Sequence, residues 1–211
     1  MRTIIKSAEP TSLTQHRCSQ HADFDNYPDK ATLRTSLFSE QRGLCCYCLS
    51  QIQPQNNAIK IEHWRSQSQF PAEQLDYANL LGACLGREGQ PRRWQHCDTH
   101  KGDDTLSKNP ANQSHRIEKL IRFTGDGTIE ADDPTLDREI NDVLNLNLPI
   151  LKRNRKAVLE SFTATLIKCG TLQRPTLVRW LREWNGESHS DDLEPYCQVV
   201  VYWLRKRLAR P

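Results

Sequence analysis

The sequence predicts an α+β protein, mainly helical, built around one small β–loop–β–loop–α unit. Three observations carry that expectation. Apolar and polar residues alternate over residues 59–63, as in a half-buried strand, and Tyr77-Ala78-Asn79-Leu80-Leu81 reads as a second strand. Apolar residues recur at helical spacing in the C-terminal half, most plainly at Leu193, Tyr196, Cys197, Val200, Val201, Leu204 and Leu208. Four of the eight cysteines stand in two pairs on either side of the strand segments, where they read as metal ligands.

Along the chain, residues 1–28 are polar and rich in turn formers, with Ile4, Ile5 and Leu13 as anchors, and read as an extended arm. Residues 29–108 form the core unit. It opens with a helix over Lys30 to Arg42 that shows Leu33, Leu37 and Phe38 on one face, with Gly43 at the C-cap. Cys45 to Ser50 follows as a tight turn. Strands are expected at Ala58 to Trp64 and Tyr77 to Leu81, then a loop with Gly86, Gly89 and Pro91, then a short helix near Asp98.

Residues 109–211 read as helical. Asp133-Pro134 is an N-cap with proline at the first helical position, opening a helix through Leu136, Ile140 and Leu144. A second helix runs from about Leu148 to Ile167. The last covers Leu193 to Leu208, with Asp191 or Asp192 as its cap and Arg205, Lys206 and Arg207 suiting its C-terminal dipole. Trp180, Trp184 and Trp203 sit at helical positions and are expected in the core or at an interface.

Composition narrows the function classes. With 29 Lys and Arg against 26 Asp and Glu, the net charge of +3 is too mild to identify a nucleic-acid binder by itself. The longest apolar run, Val199 to Leu204, is far short of the ~20 residues that cross a bilayer. No apolar signal segment follows Met1, so a cytoplasmic protein with no membrane partner is expected. In a reducing compartment, clustered cysteines favour metal over disulfides.

Cys45-x-x-Cys48 lets two thiolates face one tetrahedral ion, and Cys84 with Cys97 completes a four-thiolate structural zinc site if the intervening loop is extruded. Cys46 and His96 are substitute ligands, whereas Cys18, Cys169 and Cys197 look structural. Between the pairs, Glu62-His63 ends a strand. A carboxylate beside an imidazole suits phosphodiester hydrolysis: Glu62 can hold a divalent cation while His63 Nε2 accepts a proton from the attacking water. Arg65, Arg92, Arg93 and Lys101, with Arg87 and Trp94 nearby, form a basic set suited to phosphates and an unpaired base. The run Lys152 to Lys156 reads as a solvated helix face or a partner contact.

Glu62-His63, Asn79 sixteen residues on, and Cys97-Asp98-Thr99-His100-Lys101-Gly102 between and after the cysteine pairs resemble the HNH nucleases, the zinc-bearing form of the ββα-metal fold. The resemblance covers about residues 44–104. It implies His63 as general base, Glu62 as ligand of a catalytic Mg2+ or Mn2+, and Asn79 as the residue tying the strands together. A residue of the final helix completes the metal site in that family. Here Asp98 stands where histidine or asparagine is usual, as an oxygen ligand for a hard ion, and His100 is the alternative. Met1-Arg2-Thr3-Ile4-Ile5-Lys6, Glu40 to Cys48 and Leu144-Asn145-Leu146-Asn147 further resemble PtuB proteins, the HNH components of Septu anti-phage systems, also found beside retrons. That resemblance implies an ABC-type ATPase partner of the PtuA kind, and in some systems a retron reverse transcriptase with its DNA–RNA product. It also implies nucleic-acid cleavage in infected cells. The rival readings are a non-catalytic zinc-knuckle module that binds nucleic acid or protein, and a regulatory subunit of the ATPase.

Overall fold

The computed structural model describes residues 1–53, 58–170, 172–188 and 192–210. It is an α+β structure, mainly helical, with 46% of the chain in helix and two small antiparallel sheets. In order come α1 (Thr11–Arg17), α2 (Lys30–Glu40), β1 (Lys60–His63), β2 (Leu80–Ala83) and α3 (Cys97–Lys101). There follow β3 (Ile121–Phe123), β4 (Ile129–Ala131), α4 (Pro134–Arg138), α5 (Pro149–Cys169), α6 (Arg174–Trp184) and α7 (Cys197–Leu208).

α2 starts where the Asp29 side chain accepts from Thr32 N and buries Leu33 and Leu37 completely. It ends at Glu40 with Gln41 as its C-cap, two residues before the expected Gly43; Arg42 and Gly43 follow at φ +54° and +76°, and Gly43 N–H returns to Phe38 O. β1 pairs with β2 so that His63 faces Leu80 and Glu62 faces Leu81. Gln41 locks α2 to this hairpin: its side chain accepts from Gly82 N and donates to Gly82 O.

Several expectations are corrected. The N-terminal arm is not extended throughout, because Thr11–Arg17 is helical and its one apolar residue, Leu13, is fully buried against Phe24, Tyr27, Leu33 and Leu37. One apolar position shows no period, so this helix is silent in the sequence. Ile4 is buried but Ile5 is 68% exposed. The second strand begins at Leu80 and not at Tyr77; Tyr77–Asn79 is a 3-10 turn nucleated by Asp76, which accepts from Ala78 N. The β3–β4 hairpin was not expected, since three-residue strands are too short to display alternation.

In the C-terminal half, Asp133 does cap α4, accepting from Thr135 N and Leu136 N. That helix passes at Glu139 into a π turn that ends at Val143. α7 begins at Cys197 and not at Leu193, because Tyr196 takes φ +59° and breaks the helical path. Asp192 therefore does not cap it, and Asp191 lies outside the described residues. In the basic run, Arg155 is 1% exposed and donates to Gly127 O and Leu146 O. Only its neighbours are solvated.

Met1 and Ile4, the cysteine turn, Leu81, Ile121, Phe123, Leu136, Leu151 and Val199 belong to one continuous apolar cluster. The arm, the β1–β2 unit and the C-terminal helices thus share a core, and that core fixes how the cysteines approach one another.

Candidate metal centre and polar cluster

The four cysteines converge as expected. Cys45 Sγ lies 3.8 Å from Cys97 Sγ and Cys48 Sγ 3.8 Å from Cys84 Sγ, with all four sulfurs within 4.8 Å of one another. A tetrahedron with Zn–S bonds of about 2.3 Å has S···S edges of about 3.8 Å, so the four sulfurs fit a zinc ion. An ion held by all four thiolates would have no open position, the arrangement typical of structural zinc. Cys46 is buried beside it with its N–H on Gly82 O, and His96 Nδ1 lies 3.1 Å from Cys97 Sγ. Both flank the four-sulfur set and neither belongs to it.

Each ligand has a local reason for its place. The Cys45–Ser50 turn closes through Cys45 N to Ser50 O and Leu49 N to Cys45 O, with Leu49 at φ +64°. Cys84 directly follows β2 and Cys97 opens α3. The loop between them is extruded because its ends meet: His96 N donates to Gly86 O, and a Cβ on Gly86 would lie 2.2 Å from His96 O. Only glycine fits that approach. The Leu144–Asn147 segment holds the other side, accepting from Cys97 N at Leu144 O and donating from Asn145 Nδ2 to Gln95 O.

Tyr47, inside the cysteine turn, reaches a second, buried polar cluster. Glu62 is 2% exposed; Tyr47 donates its hydroxyl to Glu62 Oε1 at 2.6 Å, and Lys101 Nζ lies 3.0 Å from the same oxygen. Asp98 interacts with Glu62 and with Lys60, whose Nζ is 3.1 Å from its Oδ2. Burial pushes the Glu62 carboxyl well above the usual range and the Asp98 charge pushes further, against the pull of Lys101 and Tyr47. Burial also opposes ionisation of Asp98, but hydrogen bonding to Glu62 and the Lys60 ammonium overcome it and hold Asp98 below the usual range. The pair therefore divides its protons unequally, with Glu62 the more basic member.

His63 is 6% exposed, packed edge-on against Phe24 at 4.4 Å between ring centres. Its Nε2 lies 2.9 Å from Gln74 O, an atom that can only accept, so Nε2 carries the hydrogen and Nδ1 is the free base. The expectation that Nε2 takes the proton is thereby corrected. Burial lowers the His63 pKa from 6.5, leaving a neutral imidazole at pH 7. Asn79 accepts from Arg65 N and donates to Arg65 O and Glu73 O, tying the exit of β1 to the 3-10 turn before β2.

His100 and Asp98 separate clearly. His100 Nδ1 is engaged with Val143 O on the π turn, while Asp98 joins Glu62. The basic set divides as well. Arg65 is exposed, paired with Glu73 at 2.5 Å and stacked by Trp64 and Phe70; Arg92 and Arg93 are exposed on the extruded loop, Arg93 over Trp94. Lys101 differs from all three: at 1% exposure it points inward to Glu62 and the His63 carbonyl and does not belong to a surface for phosphates. Sequence reasoning missed Tyr47, Lys60 and the Gln74 carbonyl. Tyr47 stands inside the cysteine turn, and only its place between ligands hints that it faces the cluster.

Comparison with the models of known protein families and with the curated proteins finds no match.

Proposed function

We propose that this chain is a metal-dependent nuclease of the HNH kind that hydrolyses phosphodiester bonds in nucleic acid. The observation that carries the reading is the meeting of Glu62 and Asp98, two oxygen donors, beside a neutral His63 whose Nε2 is held by Gln74 O. Two adjoining carboxylates, the more basic one pushed up by burial and then by its neighbour, are a donor set that hard cations prefer, and Glu62 with Asp98 would hold Mg2+ or Mn2+. The bound cation would offset the negative charge developing on the phosphoryl oxygens and the leaving oxygen.

The protein's own groups do the rest. His63 Nδ1 takes the proton of the attacking water, and the Gln74 carbonyl fixes the tautomer and the ring plane, favouring the imidazolium as it forms. Asn79 keeps the loop that carries Gln74 and Arg65 at the end of β1. The four-cysteine centre ties the end of β2 to α3, and the pairing of Glu62 with Leu81 carries that link across to β1, so the centre helps to hold Glu62 near Asp98. Arg65, Arg92 and Arg93 neutralise the nucleic-acid backbone. In this reading the nuclease is the effector of an anti-phage system under control of an ABC-type ATPase, as the sequence resemblance suggests.

The test is cleavage of plasmid DNA and total RNA by the purified chain, together with any co-encoded ATPase, with and without Mg2+ or Mn2+. His63→Ala should lose cleavage by about 100-fold or more, the size of a general-base contribution, with zinc content and fold unchanged. A second reading, a non-catalytic binding subunit, is favoured by one observation: Lys101 already satisfies Glu62 as an ion pair. Undiminished nucleic-acid binding with no metal-dependent cleavage, ATPase present and phage challenge applied, would establish that reading instead.

A further inference from the structure

Away from the Glu62–His63 cluster, α5, α6 and the segment before α7 enclose a cavity of about 540 Å3. Its apolar wall is aromatic. Phe162 is 6% exposed and contacts Trp180 and Trp184 edge-on, with ring centres 5.9 and 5.8 Å apart. Tyr196 closes one end, its hydroxyl accepting from Asn154 Nδ2 at 3.0 Å. Among the described residues the charged lining residues are Glu183 and Glu194, and Arg42, which donates to Gly186 O, stands with both in the adjoining pocket and not in this one. Glu183 has a loose contact with Arg179 at 3.7 Å on its own helix.

The wall is set before any ligand arrives. Leu193 N donates to Arg42 O and Tyr196 N to Leu49 O, which pins the 193–196 segment to the cysteine turn. Tyr196 is held at φ +59°, a conformation that a large residue adopts only when its surroundings impose it, and one that collects at binding sites.

We propose that this cavity receives a cationic side chain, arginine or lysine, presented by a partner protein. Indole and phenol faces attract a cation through their quadrupoles, and two carboxylates at the rim add Coulombic attraction while leaving the apolar stem of the side chain against Phe162. The same carboxylates argue against an unpaired nucleobase as occupant, because the phosphates attached to it would be repelled. This proposal does not rest on the nuclease reading; it concerns different residues and is tested without cleavage.

The test uses the full chain with its five tryptophans 15N-labelled at the indole, assigned through Trp180→Phe and Trp184→Phe. N-acetyl-arginine amide and N-acetyl-lysine amide are titrated, with the uncharged N-acetyl-norleucine amide as control. Saturable shifts confined to Trp180 and Trp184 are expected with the cationic amides. Binding should weaken roughly fivefold in the Glu183→Gln, Glu194→Gln double variant, as two exposed ion contacts would give. Both positions are exposed, and unchanged Trp64 and Trp203 signals would verify the fold. Absence of shifts, equal binding of the norleucine amide, or equal binding by the double variant would each overturn the proposal.

Discussion

Lys101 Nζ lies 3.0 Å from Glu62 Oε1, and the two side chains are 1% and 2% exposed. Lys101 stands on α3 and Glu62 on β1, so this contact joins the helix to the strand that carries the neutral His63. Lys101 also donates to the His63 carbonyl, which makes one ammonium the link between the acid and the backbone of the base.

Breaking that pair from one side should be costly. Lys101→Met leaves Glu62 buried beside Asp98 without its counter-charge, and the expected loss is about 3–5 kcal/mol in urea denaturation. Combining it with Glu62→Gln should recover much of that loss, since no unpaired charge remains. Additive single effects in this double-mutant cycle would show that the two residues do not interact.

Tyr47→Phe removes the hydroxyl that Glu62 accepts and nothing else. A loss of about 1–2 kcal/mol in stability is expected, because a buried carboxylate oxygen loses one donor while keeping Lys101. Zinc content should stay at its original value, measured by atomic absorption.

The depressed pKa of His63 has a defined sign in pH. The unfolded chain binds a proton near 6.5 and the folded chain binds it only at lower pH, so this group's contribution is fully present above pH 6.5. It is lost as pH falls from there through the folded pKa. Stability from denaturant titrations should therefore decline on acidification below pH 6.5, and His63→Gln should flatten that decline. The acid limb of any cleavage profile should likewise lie below 6.5, and an acid limb above that value would contradict a buried neutral base.

The cysteine centre separates ligands from neighbours. Cys84→Ser should lose zinc and soluble folded protein together, since structural zinc binding is coupled to folding. Cys46→Ser should keep a full complement of zinc, as Cys46 lies outside the four-sulfur set. His96→Ala should weaken zinc about 10–100-fold, the usual size for a residue that hydrogen-bonds a ligand, as read by competition with a chromogenic chelator.

On nucleic acid, Arg92→Gln and Arg93→Gln should each lower the slope of log K against log salt by about 0.9 and weaken all sequences alike. Lys101→Gln should leave that slope unchanged, because the ammonium is not on the surface.

What the sequence by itself determined is whatever depends on spacing along one element. The two-residue spacer of Cys45 and Cys48, the Glu62-His63 step at the end of a strand, the Asp133 cap and the stripe of α7 are local patterns, and local backbone geometry turns them into faces and ligands. The weak signals were short ones: the seven-residue α1 with Leu13 alone, and the three-residue strands β3 and β4. Tertiary structure decided everything that required two distant segments to meet. It turned Lys101 inward, put Asp98 beside Glu62 while His100 engaged the π turn, and gave Nε2 of His63 to the Gln74 carbonyl. It also brought Gly86 against His96, closing the loop that completes the four cysteines. None of these contacts has a sequence period, because each is set by how the shared core packs, and a side chain's direction across that core is fixed only when both walls are in place.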